Sequence, residues 1–466
     1  MTDPDLQNAL LIAWRETLQR RAADPAIWSS GGKVLRTFAQ IEDEARAIRS
    51  AFDGLPPHSV VGVQIGNSER WPALLLAVLR QRLVVLPIGR HVEHRELELA
   101  LQTCAASACV TLAGEEMEIS RCERASSLPP DWTGSAPDLL KLTSGTTSQP
   151  RAVRFRAEQL VADCENICAT MGLREDDLNF GVIPFSHSYG FSNLVTPLIC
   201  RGIALVASED RMPRAILNDL ASSKATVFPG MPVFFQKFVE LQNTPELPEL
   251  RLCLSAGAPL SAAVAERFTA RFGMKIHAFY GSSECGGVAY DATPETQYED
   301  GFVGRPLEGV EIAAGNQPGP IVVRSNAVGD GYFPAADEAT LREGQFVPGD
   351  LVQQTERGLY LVGRVSDVIN IAGRKLNPLE VEARLAEYPG VRQAVVFGVP
   401  SALRGEEAVA CVAGEGIDAG SVMRFCKGAL SQWQMPRAVW VVPEIPANER
   451  GKINRRELAA EYLRSR

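Results

Sequence analysis

Between Lys141 and Arg151 the chain reads Lys-Leu-Thr-Ser-Gly-Thr-Thr-Ser-Gln-Pro-Arg. Thr143, Ser144, Gly145, Thr146, Thr147 and Ser148 form an unbroken run of hydroxyl residues and glycine. Such a run can wrap a polyphosphate closely with hydroxyls and bare backbone N–H groups. Arg151 and Arg154 add positive charge on its far side. It is not a Walker loop, because the G-x-x-x-x-G-K-[ST] spacing is absent. Taken alone, a stretch of this composition is more often an ordinary surface loop. Its meaning depends on five further motifs downstream.

Those motifs are Pro184-Phe185-Ser186-His187-Ser188-Tyr189-Gly190 and Tyr280-Gly281-Ser282-Ser283-Glu284, each close to an apolar run. Pro348-Gly349-Asp350 precedes a hairpin, and Gly363-Arg364-Val365-Ser366-Asp367 follows it, leading into Asn370–Lys375. Near the end stands Pro446-Ala447-Asn448-Glu449-Arg450-Gly451-Lys452. In this order and at these separations the set resembles the adenylate-forming superfamily, which includes acyl-CoA synthetases, peptide-synthetase adenylation domains and luciferases. The resemblance runs from about residue 20 to the end of the chain.

The resemblance implies a two-step reaction. A carboxylate attacks the α-phosphate of ATP to give an acyl-adenylate and pyrophosphate; a thiol then displaces AMP. Two anions must meet, so cations and oriented dipoles are needed where charge accumulates. On this reading Thr143, Ser144, Gly145, Thr146 and Thr147 hold the outer phosphates. Ser283 contacts the α-phosphate, and Glu284 binds Mg2+, a hard cation that prefers oxygen ligands. Gly257 and Ala258 offer small residues on one face of adenine, with Tyr280 and Gly281 on the other. Asp350 takes the ribose hydroxyls, helped by Arg364. Lys452 carries the most catalytic weight, bridging the carboxylate and the α-phosphate. Each residue also has a plainer reading: Lys452 a solvated loop lysine, Tyr280 a core aromatic, Asp350 a turn aspartate and Glu284 a surface carboxylate.

His187 belongs by the same resemblance to the acyl pocket, as a wall and gate beside the reacting carboxylate and not as a general base. Phe228, Gly230 and Met231 line that pocket. Ser366 is the expected hinge between the two steps, and Gly373 the position that keeps the thiol channel open. Departures from the family pattern fall at Ser148, Arg151, Pro348 and Ser366, and arginine keeps a lysine's charge without its point geometry. The N-terminal region is also short for the family.

The elements that must position these residues follow from periodicity. Apolar runs at Val60–Ile65, Leu83–Ile88, Ala108–Leu112, Asn179–Ile183, Ile203–Ala207, Ala225–Phe228, Leu250–Ser255 and Met274–Phe279 read as strands. Helical patterns alternate with them: Trp71–Leu79, Glu93–Gln102, Ala157–Met171, Pro213–Ala221, Val233–Gln242 and Ala262–Phe272. Doubly buried strands separated by helices imply largely parallel, helix-wrapped sheets, with ligands at the strands' carboxyl ends. From Gly309 the pattern turns β-rich, and after Asp367 a compact α+β unit is expected. The fold class is therefore α/β: a large N-terminal domain (residues 1–363) with a small β-barrel-like part, a hinge at 364–367 and a small mobile α+β domain (368–466).

At 466 residues, 45% hydrophobic, the chain can bury a large core. A net charge of −9 without a basic block argues against nucleic acid or an anionic membrane as partner. The run Leu74–Leu79, closed by Arg80 and Arg82, is too short to span a bilayer. With no signal peptide at the acidic N-terminus, a cytoplasmic protein is expected. The ten cysteines lack metal-site spacing and read as reduced, mostly buried thiols. The function expected is an ATP- and Mg2+-dependent acid–thiol ligase for a fatty or aryl acid. Its thiol is coenzyme A or the phosphopantetheine of an acyl-carrier protein. Two other readings stay open. A stand-alone amino-acid adenylation domain would need a carboxylate near His187, and a non-catalytic nucleotide-binding regulator would not need Lys452 and Glu284.

Overall fold

The computed structural model describes residues 7–114, 116–122, 129–132, 134–143, 151–401, 404–447 and 453–465. Two compact units emerge. The first comprises residues 1–313, 322–348 and 357–359; the second comprises 314–321, 349–356 and 360–466.

The first unit contains two large sheets. In one, parallel strands Val60–Gln64, Val84–Pro87, Ala106–Ala113 and Leu139–Thr143 are flanked by antiparallel partners at Glu116–Arg121, Arg151–Phe155 and Gly331–Phe333. In the other, Pro25–Ser29, Ala204–Ala207, Leu178–Gly181, Val227–Gly230, Leu252–Ser255 and Ile276–Ser282 lie parallel in that spatial order. Four consecutive buried positions in Val84–Pro87, Val227–Gly230 and Leu252–Ser255 show why these strands read as continuous apolar runs. A small antiparallel sheet of Val310–Ala313, Val322–Ser325, Gln345–Phe346 and Leu341–Arg342 completes the unit.

The helices Ala157–Met171 and Ala262–Phe272 have the bounds expected from their periodicity. Both end on a left-handed glycine, Gly172 and Gly273, where the missing Cβ removes the steric cost of that conformation. The apolar stretch after Trp71 is a ten-residue helix buried at every position, as a helix apolar all round must be. Its terminal Arg80 is compensated by Glu42 at 2.9 Å, which also accepts from Trp14 Nε1. One expectation needs adjusting: Tyr280 lies inside the strand Ile276–Ser282, not beyond its end. That strand outlasts its apolar run because it turns back in a hairpin onto Gly286–Tyr290.

In the second unit the strand Gly319–Pro320 pairs with Asp350–Gln354, which neighbours Leu359–Arg364. An α+β layer follows. The long hairpin Val391–Ser401 and Gly405–Gly414 is joined in parallel by Ala438–Val442. The helices Pro378–Ala386 and Ala419–Ala429 belong to the same unit. Its last helix, Arg455–Arg464, is tied down by Arg455, which pairs with Glu382 and with Asp367 at 3.2 Å. None of the described helices is long and apolar enough to cross a membrane.

Candidate adenylation site

In the first unit, three motifs distant in sequence converge. The strand Leu139–Thr143 delivers Thr143, whose hydroxyl donates to the Arg151 carbonyl at 3.2 Å across the returning strand. Ser144, Gly145, Thr146, Thr147 and Ser148 lie outside the described residues, as does Lys452. Arg151 does not project alone: its guanidinium lies 3.7 Å from the centroid of the Tyr332 ring. At 3.9 Å, Asp337 adds an opposite charge.

Tyr332 in turn donates its hydroxyl to Glu284 Oε1 at 3.1 Å, while Ser282 Oγ donates to Oε2 at 3.0 Å. Both oxygens of the Glu284 carboxylate are thus oriented by neutral donors, and among the described residues it enters no ion pair. Burial and the Glu284 charge push the Tyr332 phenol well above its usual range, so it stays a donor. The neighbouring Cys285 is fully buried, and its thiol is pushed up to about 12 by burial.

The His187 segment reaches the same place. Ser188 Oγ donates to Ser283 Oγ at 2.9 Å, joining the acyl-pocket motif to the Tyr-Gly-Ser-Ser-Glu motif. His187 caps a short helix: Nδ1 accepts from the Tyr189 N–H at 3.2 Å, so a neutral ring carries its proton on Nε2. Gly190 is required by space, since a Cβ there would stand 2.1 Å from the Pro184 carbonyl. The buried side chain of Asn67 holds this loop from below. It donates to the carbonyls of Gly181, Ile183 and Ser208 and accepts from Phe185 N–H at 2.9 Å.

The remaining predicted residues of this unit sit at or near strand ends. Tyr280 is 7% exposed. Gly281 leaves room for the hairpin partner, because a Cβ would meet Gly286 O at 2.7 Å. Gly257, at φ +88°, and Ala258 follow the strand Leu252–Ser255. Gly230 ends the strand Val227–Gly230, and Met231 caps the helix Pro232–Glu240. Phe228 is 1% exposed and packed among the rings of Phe180, Phe234, Phe235 and Phe238.

In the second unit, Arg364 Nε donates to Asp350 Oδ1 at 2.6 Å, the aspartate buried and the arginine half-exposed. Ser366 is exposed in the turn Val365–Asp367, its hydroxyl bonded to Asp367 Oδ1 at 3.0 Å. Gly373 is exposed at φ +83°, and its N–H donates to Asn370 Oδ1 at 3.1 Å.

Residues 14–333 match the family model of the AMP-binding enzyme, and residues 380–452 match that of the AMP-binding enzyme C-terminal domain. The chain belongs to the AMP-binding enzyme family. Among curated relatives, this AMP-binding enzyme is 29% identical to a probable CoA ligase, CCL9, of Humulus lupulus, over 91% of this chain and 90% of that protein. It is 28% identical to an oxalate–CoA ligase of Arabidopsis thaliana, with 99% of each chain covered. In fold it is similar to ATP-bound MatB from Rhodopseudomonas palustris, with a TM-score of 0.86 at 23% identity, covering 98% of this chain and 99% of that one.

Tyr332 and Asn67, which hold Glu284 and the Phe185 backbone, escape a reading of motifs, as do the buried polar positions of Lys141, Asp163 and Ser192. A signal existed for some of them. Lys141 interrupts an apolar strand, and Asp163 falls among Leu160, Cys164 and Ile167 on the buried side of its helix. A polar group at a core position needs a partner, and that partner is a reason to look for a site.

Proposed function

We propose that this enzyme activates a carboxylic acid with ATP as acyl-AMP, releasing pyrophosphate, and then passes the acyl group to a thiol. The observation that carries the proposal is the Ser188–Ser283 hydrogen bond at 2.9 Å. It sets the residue after the acyl-pocket histidine against the residue assigned to the α-phosphate, where the two reactants have to meet. Holding both at near-attack distance is a large part of such catalysis.

Ser283 and the Thr143–Thr147 segment bind the phosphates in this reading. Tyr280, Gly281, Gly257 and Ala258 form the adenine slot, and Asp350 and Arg364 take the ribose. Lys452 supplies the charge that stabilises the transition state. His187, Phe228, Gly230 and Met231 bound the acid. Glu284 fits Mg2+: it is a hard oxygen donor, oriented by two hydroxyls and unpaired with any cation among the described residues. A bound Mg2+ would offset charge on the phosphate oxygens. Ser366 is the pivot between the steps in this proposal, separating a domain of residues 1–363 from one of 368–466, and Gly373 keeps the thiol path clear. The compartment proposed is the cytoplasm.

The curated relatives named as CoA ligases favour coenzyme A as the thiol over a carrier protein. No carboxylate stands in Phe185–Ser188 to hold an α-ammonium, which favours a fatty or aryl acid over an amino acid. The test is pyrophosphate exchange with acids of graded length and aromaticity, followed by thioester formation with coenzyme A or carrier protein. Exchange stimulated by amino acids alone would overturn the assignment.

A further inference from the structure

One buried cation has no part in the reaction just assigned. Lys141 is 4% exposed, in the strand that ends at Thr143. Its ammonium lies 4.5 Å from the Phe155 ring centroid and 5.7 Å from that of Phe191, and donates to Ser192 Oγ at 3.4 Å. Ser192 Oγ passes a hydrogen bond of 2.5 Å to Asp163 Oδ2, and Asp163 Oδ1 accepts the Gly287 N–H at 2.9 Å. Asp163 is 3% exposed and Ser192 4%. An ammonium and a carboxylate kept from water are costly unless each is compensated, and here they compensate one another through a hydroxyl.

The chain of bonds connects three elements, each of which carries a site residue a few positions away. Lys141 is two residues before Thr143. Ser192 lies in the buried π-helical turn Phe191–Val195 that continues from the His187 cap. Asp163 grips the turn end of the hairpin bearing Glu284: a Cβ on Gly286 would fall 2.0 Å from Asp163 Oδ1, and Gly286 has a φ of +70°. π-helical turns are frequent at functional sites, because they release backbone carbonyls and re-aim side chains.

We propose that Lys141, Ser192 and Asp163 form a positioning relay, buried behind the site, that locks the phosphate strand and the Glu284 hairpin into one register. The inference rests on the nucleotide-binding part of the reading above. Burial lowers the basicity of Lys141, and the nearby Asp163 and Glu284 carboxylates offset only part of that.

The test uses the full chain with Ser192→Ala and Lys141→Met, which keep volume while removing the bridge or the charge. Binding of ATP in the presence of Mg2+ is measured by calorimetry, alongside KM for ATP and for the acid. Both variants are expected to bind ATP with Mg2+ about tenfold more weakly, or about 1.4 kcal/mol. KM for ATP should rise in step, with KM for the acid within twofold. If Lys141→Met fails to fold, Ser192→Ala decides the question alone. Unchanged nucleotide affinity in a folded variant, or equal losses for ATP and acid, would overturn the relay. A wild-type protein that binds ATP with Mg2+ but activates no acid would remove the reaction and leave the relay standing.

Discussion

The guanidinium of Arg151 lies over Tyr332, 3.7 Å from the ring centroid, and Tyr332 holds Glu284 by its hydroxyl. An arginine at the exit of the phosphate segment thereby acts on a carboxylate 133 positions further along the chain. Cation–π contact needs a planar, weakly hydrated cation, and arginine suits it better than lysine.

Tyr332→Phe keeps the stacking and removes the donor. A hydrogen bond to a charged group contributes about 1.5–3 kcal/mol. Acyl-AMP formation should fall roughly ten- to hundredfold, measured as pyrophosphate exchange at limiting Mg2+. An unchanged rate would mean that Ser282 alone orients Glu284.

Lys452→Ala should lower adenylation by two to three orders of magnitude, as expected for about 3–4 kcal/mol from one lost electrostatic contact. Thioester formation from supplied acyl-AMP should be nearly untouched. Equal losses in the two half-reactions would make the lysine structural.

Ser366→Pro fixes φ near −65° at the proposed pivot. Adenylation should persist while thioester formation is suppressed, and Gly373→Leu should do the same by obstruction. Gly373 has a positive φ, so any side chain adds strain there. Gly373→Ala therefore serves as the control for stability without bulk. Full rates in both half-reactions of Ser366→Pro would place the pivot elsewhere.

The pH dependence of stability should carry a contribution from Asp138. Burial pushes its carboxyl up to about 6, against hydrogen bonds from Ala157 N–H at 2.7 Å and Asn8 Nδ2 at 2.8 Å. A carboxyl raised above its unfolded value contributes stability below pH 4 that is lost as pH rises through about 6. Asp138→Asn cannot ionise. Its stability relative to wild type should therefore improve between pH 4.5 and 7.5 in urea unfolding, and a constant difference would refute the assignment.

Of ten cysteines, none in a disulfide, only Cys122 is partly exposed rather than buried. Burial pushes the thiols of Cys104 and Cys253 up to about 12. A maleimide at pH 7.5 should label about one thiol in the native protein, and Cys122→Ser should abolish it. Rapid labelling of Cys285 would show that the Glu284 hairpin opens.

What the sequence determined by itself was local and contiguous. The helices Ala157–Met171 and Ala262–Phe272 were legible to the residue, because apolar period and capping glycine lie within one segment. The order of the motifs was equally legible, and with it the family. The helix Arg455–Arg464 was not read as an element, since its apolar positions are sparse and interrupted by charge, and neither was any element in the first 59 residues, although Ala9–Arg21 opens on an unbroken apolar run. Tertiary structure alone decided which groups orient the site. Tyr332 reaches Glu284 across 48 positions, Ser192 reaches Asp163 across 29, and Asn67 holds Phe185 across 118. No period or motif links such pairs. A hydrogen bond depends on the final distance and angle between two atoms, and those exist only once the sheets have brought their strand ends together.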